Sequence, residues 1–125
     1  MAGWIAAAML MLALMALPCP AAAANVAAGK ALFGRCRICH NVAAGAGAKV
    51  GPDLHGIFGR RAGSGDNFIY SAALQHSGVV WNDKTLAAYL KNPRQFIPGN
   101  AMAFPGIKSD QDIADLLAYL HQAAE

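Results

Sequence analysis

The clearest hydrophobic period in the chain is its last. Ile113, Leu116, Leu117 and Leu120 recur three and four residues apart, the spacing that lines one face of an α-helix. The pattern predicts a helix from Asp110 to about Ala123, capped by Ser109 with Asp112 three residues on, and sends Asp115 and Gln122 outward. Asn82 is the N-cap of another predicted helix, Asp83 to Lys91, which has an acid in its first turn and ends at Asn92-Pro93. A further helix runs from Ala27 to about Arg35, with Leu32 and Phe33 apolar and Lys30 and Arg35 polar. Gly29 inside it costs stability relative to alanine, which implies a packing reason. Phe68 to Gln75 holds a brief helix that stops near Gly78.

Loops join these pieces. Gly45, Gly47 and Gly51-Pro52 mark one. Leu54, Ile57 and Phe58 form a short buried turn closed by Gly59, and Arg60-Arg61 with Gly63 to Asn67 make a polar loop. Val79-Val80-Trp81 is extended or loop, and the stretch from Pro93 to Pro105, with three prolines, is expected to be irregular. No run alternates as a strand and no repeat is visible. The expectation is an all-α domain whose long loops need something to pack against.

Composition divides the chain in two. Met1 to Ala24 carries no charged side chain and ends on Ala22-Ala23-Ala24, an apolar run followed by an A-x-A cleavage pattern. Residues 1–24 therefore read as a secretory signal peptide, although the usual basic n-region is missing. An uncleaved anchor is the alternative, the run being near the lower length limit for spanning a bilayer. Cys19 follows Pro18, a poor context for lipidation, and leaves with the leader. The 56% hydrophobic content and mean hydropathy of +0.33 are inflated by that leader. The domain, residues 25–125, holds all ten Lys+Arg and seven Asp+Glu and so the whole formal +3. It is small for building a core unaided.

Its two remaining cysteines lie in Cys36-Arg37-Ile38-Cys39-His40. Cys-x-x-Cys-His is the pattern of c-type haem attachment: on a helical turn, i, i+3 and i+4 share a face, so two thiols can bond to the macrocycle while the imidazole reaches its iron. A thioredoxin-like pair would want a βαβ context, and a zinc site would need four ligands. Neither is offered. After cleavage Met102 is the only methionine left, in the Pro/Gly-rich loop Ile97 to Gly106, which makes it the candidate for the sixth iron position. His55, His76 and His121 read as surface residues.

At this point the chain resembles the class I c-type cytochromes, the soluble monohaem electron carriers of bacteria and mitochondria. The likeness spans Gly29 to Leu120. It rests on Gly29-x-x-x-Phe33-x-x-Cys36-x-x-Cys39-His40, Gly51-Pro52-Asp53-Leu54-His55-Gly56, Gly59-Arg60, Trp81, Tyr89-Leu90 with Asn92-Pro93, Pro98-Gly99 before Met102, and Leu116 to Tyr119. The resemblance implies one haem c, attached through Cys36 and Cys39 and ligated by His40 and Met102, in a fold of short helices and long loops. It implies that Gly29 and Phe33 meet Leu116 and Tyr119 where terminal helices cross, and that Pro52 accepts the second ring N–H of His40. It implies that Arg60, Tyr70 and Trp81 hydrogen-bond a buried propionate and that Tyr89 lies near the Met102 sulfur. Two positions depart from the family: Asn100 where Thr is frequent, and Leu74 where mitochondrial members often have Asn.

The function implied is that of a periplasmic carrier and not an enzyme. It would move single electrons from a cytochrome bc-type complex to a terminal oxidase, reductase or photosynthetic reaction centre. The competing readings are a membrane-anchored carrier and a haem enzyme or gas-sensing module with a vacated sixth site. Arg35 and Arg37 flank the attachment site, and by resemblance Lys49, Arg94 and Lys108 surround the same edge, a basic face for redox partners. The expected form is a monomer with no nucleic-acid partner.

Overall fold

The computed structural model describes residues 22–125, so the expected leader, Cys19 included, lies outside the described residues but for Ala22 to Ala24. Five helices follow in order: α1 (Val26–Phe33), α2 (Ala72–Gln75), α3 (Asp83–Lys91), α4 (Pro93–Phe96) and α5 (Asp110–Ala123). No strand occurs among the described residues; a single antiparallel bridge joins Arg61 to Val80. This is the all-α architecture of short helices and long loops.

The first and last helices cross, and the crossing is the frame of the molecule. Gly29 sits at its centre: a Cβ added there would stand 2.5 Å from the Asp115 carbonyl carbon and 2.9 Å from Tyr119 Cβ. The missing side chain is what lets the two backbones meet, which repays the weak helix propensity of glycine. Phe33 packs its ring 5.3 Å from that of Tyr119. Leu116, 1% exposed, and Leu120 extend the contact into the core with Trp81, Leu86, Tyr89, Ile97, Ile107 and Ile113. Truncating a residue as buried as Leu116 to alanine costs about 2–5 kcal/mol.

The caps follow from side-chain chemistry. Asn82 accepts from the Thr85 backbone N–H at 2.9 Å, and the Thr85 hydroxyl accepts from Asn82 N–H at 2.9 Å, closing a capping box on α3. Ser109 accepts from Asp112 N–H at 3.1 Å and starts α5. Asn25 caps α1 through Ala28 N–H at 3.1 Å.

Four expectations need correction. Asp115 does not face outward: it is 6% exposed, because α1 lies across its face of α5. The Pro93–Pro105 stretch is not irregular throughout. Proline at the first helical position forfeits only an N–H that has no intrahelical partner, so Asn92 ends α3 and also caps the short α4 through Gln95 N–H at 3.2 Å. Helix α2 is shorter than Phe68 to Gln75, since Ser71 takes the N-cap position and leaves Phe68 to Tyr70 non-helical. Helix α1 stops at Phe33, after which Gly34 and Arg35 bond back three residues, to Ala31 and Leu32, in a tightened turn.

Candidate haem site

That tightened turn leads directly into Cys36. Arg37 N–H bonds to Phe33 C=O at 2.8 Å, and His40 N–H bonds to Cys36 C=O at 2.9 Å. The second of these is an i to i+4 link, so the motif is a helical turn appended to α1 and its cysteines and histidine share a side. Cys36, Cys39 and His40 all line one cavity of about 320 Å³, together with Met102 from the loop after α4. Phe33, Leu54, Ile57, Leu74, Leu86, Leu90, Leu116 and Leu120 supply apolar wall. The cysteines are not joined to each other. Burial pushes the Cys36 thiol up, partly offset by the nearby Arg35 guanidinium.

His40 is held in one orientation. Its Nδ1 lies 2.8 Å from the Pro52 carbonyl oxygen, which can only accept, so Nδ1 carries the proton and Nε2 keeps its lone pair. Burial lowers its pKa against the opposing effect of that hydrogen bond, with Lys49 lowering it further. The ring therefore stays neutral at neutral pH, the form a metal needs. Gly51 fits under it: a Cβ there would stand 2.8 Å from Nδ1 and 2.9 Å from Nε2. Gly51 N–H bonds to Cys39 C=O at 2.8 Å, tying the loop to the motif.

Met102 is fixed from the other side. The Tyr89 hydroxyl lies 3.8 Å from its sulfur and 3.3 Å from Asn100 Oδ1. Tyr89 is 8% exposed, and burial pushes its phenol up to about 12. Asn100 organises the loop: its amide donates to Pro93 and Ile97 carbonyls, each at 2.8 Å, while its Oδ1 accepts from Met102 N–H at 3.0 Å. Sequence reasoning noticed Asn100 only as a family departure and missed this role. The signal was there, since Asn two residues before a key position can close an Asx turn on its N–H.

The polar corner of the cavity is built by the bridge. Trp81 N–H bonds to Arg60 C=O at 2.9 Å and Gly59 N–H to Trp81 C=O at 2.7 Å, so Arg60 and Trp81 arrive together. Arg60 Nη1 and Nη2 donate to the carbonyls of His55 and Asp53 at 3.1 and 2.9 Å. Tyr70 lines the same cavity, its ring edge-on to Phe68 at 4.9 Å. Gly65 borders both the Tyr70 hydroxyl and the Arg60 guanidinium. The Arg60 guanidinium and Tyr70 hydroxyl meet at Gly65, and with the Trp81 indole they line the cavity as donor chemistry suited to carboxylates.

Of the five candidate docking cations, Arg35 lines the cavity and stacks over Phe104 at 5.1 Å, and Lys49 donates to the Arg37 carbonyl at 2.7 Å. Arg37, Arg94 and Lys108 are exposed. Two histidines expected at the surface are half-buried. His55 Nδ1 is buried without a hydrogen-bond partner, and His121 stacks on Phe58 at 3.7 Å while its nitrogens meet Asp83 and Glu125. His76 is exposed.

An apolar slot with paired thiols, a neutral imidazole, a thioether and a polar end fits a haem carrying two propionates. Comparison with known proteins agrees. The family model described as Cytochrome c matches residues 26–124. The chain therefore belongs to the cytochrome c family, the electron carriers, and carries one haem c bound covalently through Cys36 and Cys39. It is 47% identical over 104 residues to cytochrome c of Nigella damascena, covering 82% of this chain and 94% of that one. It is 43% identical to cytochrome c2 of Blastochloris viridis, covering 82% and 81%. In three dimensions it is similar to cytochrome cH from Methylobacterium extorquens, with a TM-score of 0.74, 38% identity, and 78% and 98% covered.

Proposed function

We propose that this chain is a periplasmic single-electron carrier with His40 and Met102 as the axial iron ligands, exported by the leader and released from it near Ala24. The observation that supports this best is the loop around Met102. A methionine merely filling a gap needs no such support, yet here Tyr89 and Asn100 together fix both its sulfur and its backbone.

When bound, haem supplies a one-electron Fe(II)/Fe(III) couple. The chain supplies the rest. Pro52 and Gly51 hold the imidazole against rotation, so His40 would need little rearrangement in either oxidation state of a bound haem. Tyr89 and Asn100 do the same for the Met102 thioether, a donor that would raise the reduction potential of a bound haem. Apolar walls keep water out, and Arg60, Tyr70 and Trp81 would hold the propionates. With His40 and Met102 both available to hold the iron of a bound haem, the site would suit electron transfer and not substrate turnover.

Donor and acceptor are read as membrane redox complexes: a cytochrome bc-type complex on one side, and a terminal oxidase, reductase or photosynthetic reaction centre on the other. The basic residues Arg35, Arg37, Lys49, Arg94 and Lys108 form the face that meets them. Stopped-flow reduction of the holoprotein by a bc-type complex tests this. Steering by opposite charge raises the association rate and is screened by salt. The second-order rate should fall as ionic strength rises, and Arg94→Glu or Lys108→Glu should slow it at low salt. A fast rate indifferent to both would remove the basic face and leave an apolar contact through exposed residues such as Ile38 and Val50. No reduction at all would remove the carrier role.

A further inference from the structure

Asp115 is a charged side chain in an otherwise apolar interior. Both of its hydrogen-bond donors reach the same oxygen: Asn25 N–H at 2.7 Å and the Gln111 amide at 2.9 Å. Neither donor carries a charge in the full-length chain. Among the described residues, the ion pairs formed by lysine and histidine involve Asp83, Asp110 and Glu125, and none reaches Asp115. A buried carboxylate without a cation is costly, and removing it would be expected to help the fold. Yet the helix crossing is arranged around it. Gly29 lets the Asp115 backbone come close to α1, and Asn25 lies one turn earlier, its carbonyl accepting from Gly29 N–H at 3.0 Å. The Asn25 nitrogen is thereby fixed over the carboxylate.

That nitrogen is the one that cleavage after Ala22-Ala23-Ala24 would set free. Hydrolysis of the Ala24–Asn25 bond adds water across it. A carboxylate stays on Ala24, and both of water's protons end on the Asn25 nitrogen as an α-ammonium. We propose that Asp115 is the seat of this new amino terminus and that the processed bond is Ala24–Asn25. The 2.7 Å amide contact then becomes a charge-assisted ion pair at the helix crossing, with Asp115 buried and Asn25 at the exposed edge. The same carboxylate serves the dipole of α1, which has no acidic residue in its own first turn. Among the described residues, processing forfeits one long contact, from the Gln111 amide to the Ala23 carbonyl at 3.4 Å. The segment removed is exposed as far as it is described. The inference rests on the export part of the proposed function and is independent of the redox partners.

The test uses holoprotein purified from cells that export the full chain. Terminal sequencing should begin at Asn25. The α-amino group, titrated by the pH dependence of its reductive methylation, should have a pKa at least about one unit above its ordinary range of roughly 7.7–8.0. Asp115→Asn should return it to that range and lower the thermal midpoint. A form processed one residue earlier, keeping Ala24, should show an ordinary α-amino pKa and a lower midpoint than the parent. An ordinary pKa in a parent that begins at Asn25 would overturn the seat, whether or not the variants fold. A terminus elsewhere in the domain would overturn the assigned bond. A retained leader would overturn the export reading itself, and with it the proposal.

Discussion

Replacing Gly29 by alanine separates two physical effects by sign. Judged by helix propensity alone the change stabilises α1 by about 1 kcal/mol. Judged by the crossing it is harmful. The added Cβ would stand 2.5 Å from the Asp115 carbonyl carbon and 2.9 Å from Tyr119 Cβ, whereas carbon atoms rest about 3.5–4.0 Å apart. Relief requires α1 to retreat from α5 by about 1 Å, and the neighbours that would have to yield include helix backbone. Overpacking of this kind costs about 1–3 kcal/mol and occasionally more. A rigid backbone obstacle places Gly29→Ala at or beyond the top of that range, and subtracting the propensity gain leaves a net loss of about 2 kcal/mol. For a domain of this size each kcal/mol moves the melting midpoint by about 4–8 °C, so the variant should melt roughly 8–16 °C lower. Thermal unfolding of the oxidised holoprotein, followed by far-ultraviolet circular dichroism, reads this directly. An unchanged or higher midpoint would refute the claim that the helix crossing depends on the absence of a side chain.

Three further outcomes follow from the same contacts. Asn100→Ala removes the side-chain bonds to the Pro93 and Ile97 carbonyls, which keep their backbone donors, and leaves Met102 N–H without its acceptor; it should cost about 1–3 kcal/mol in denaturant unfolding and let carbon monoxide reach the reduced protein more readily. Asp83 beside His121 holds its imidazole pKa above the ordinary 6.5, with Glu125 adding to it. This stabilisation is complete below pH 6.5 and is lost as pH rises through the raised folded value. The pair is solvent-screened, His121 being 40% exposed, so the midpoint should drift down by only a few °C over that interval, and His121→Gln should remove the drift. Cys36→Ala with Cys39→Ala, expressed without covalent haem, should show little helical circular dichroism and no cooperative melt, because the loops facing the cavity have no other core.

Legibility in the sequence tracked how local each determinant is. Helices α3 and α5 were readable because cap, first-turn acid and apolar spacing all sit within one segment. The attachment motif was readable because its geometry is that of one helical turn. The bounds of α1 and α2 were less so, since each depends on a cap, Asn25 or Ser71, that competes with a longer apolar pattern. Helix α4 was missed because proline was read as a terminator when it also opens a helix. The burial of Asp115 could not be seen from α5 alone. Its helical phase allows an outward position, and only the arrival of α1 covers it. The Asn100 role is partly local, as an Asx turn on Met102 N–H, and partly set by the fold, which brings the start of α4 and Tyr89 on α3 to the same side chain.

The central proposal is that Met102 would join His40 in holding the iron and would close the site to other ligands. The direct measurement is the weak sulfur-to-iron(III) absorption band at the red end of the visible spectrum, recorded for oxidised holoprotein and for Met102→Ala, with carbon monoxide added to the reduced forms. The parent should show the band and resist carbon monoxide, while Met102→Ala should lose the band, bind carbon monoxide and show a lower reduction potential. A band that persists unchanged in Met102→Ala would contradict the account.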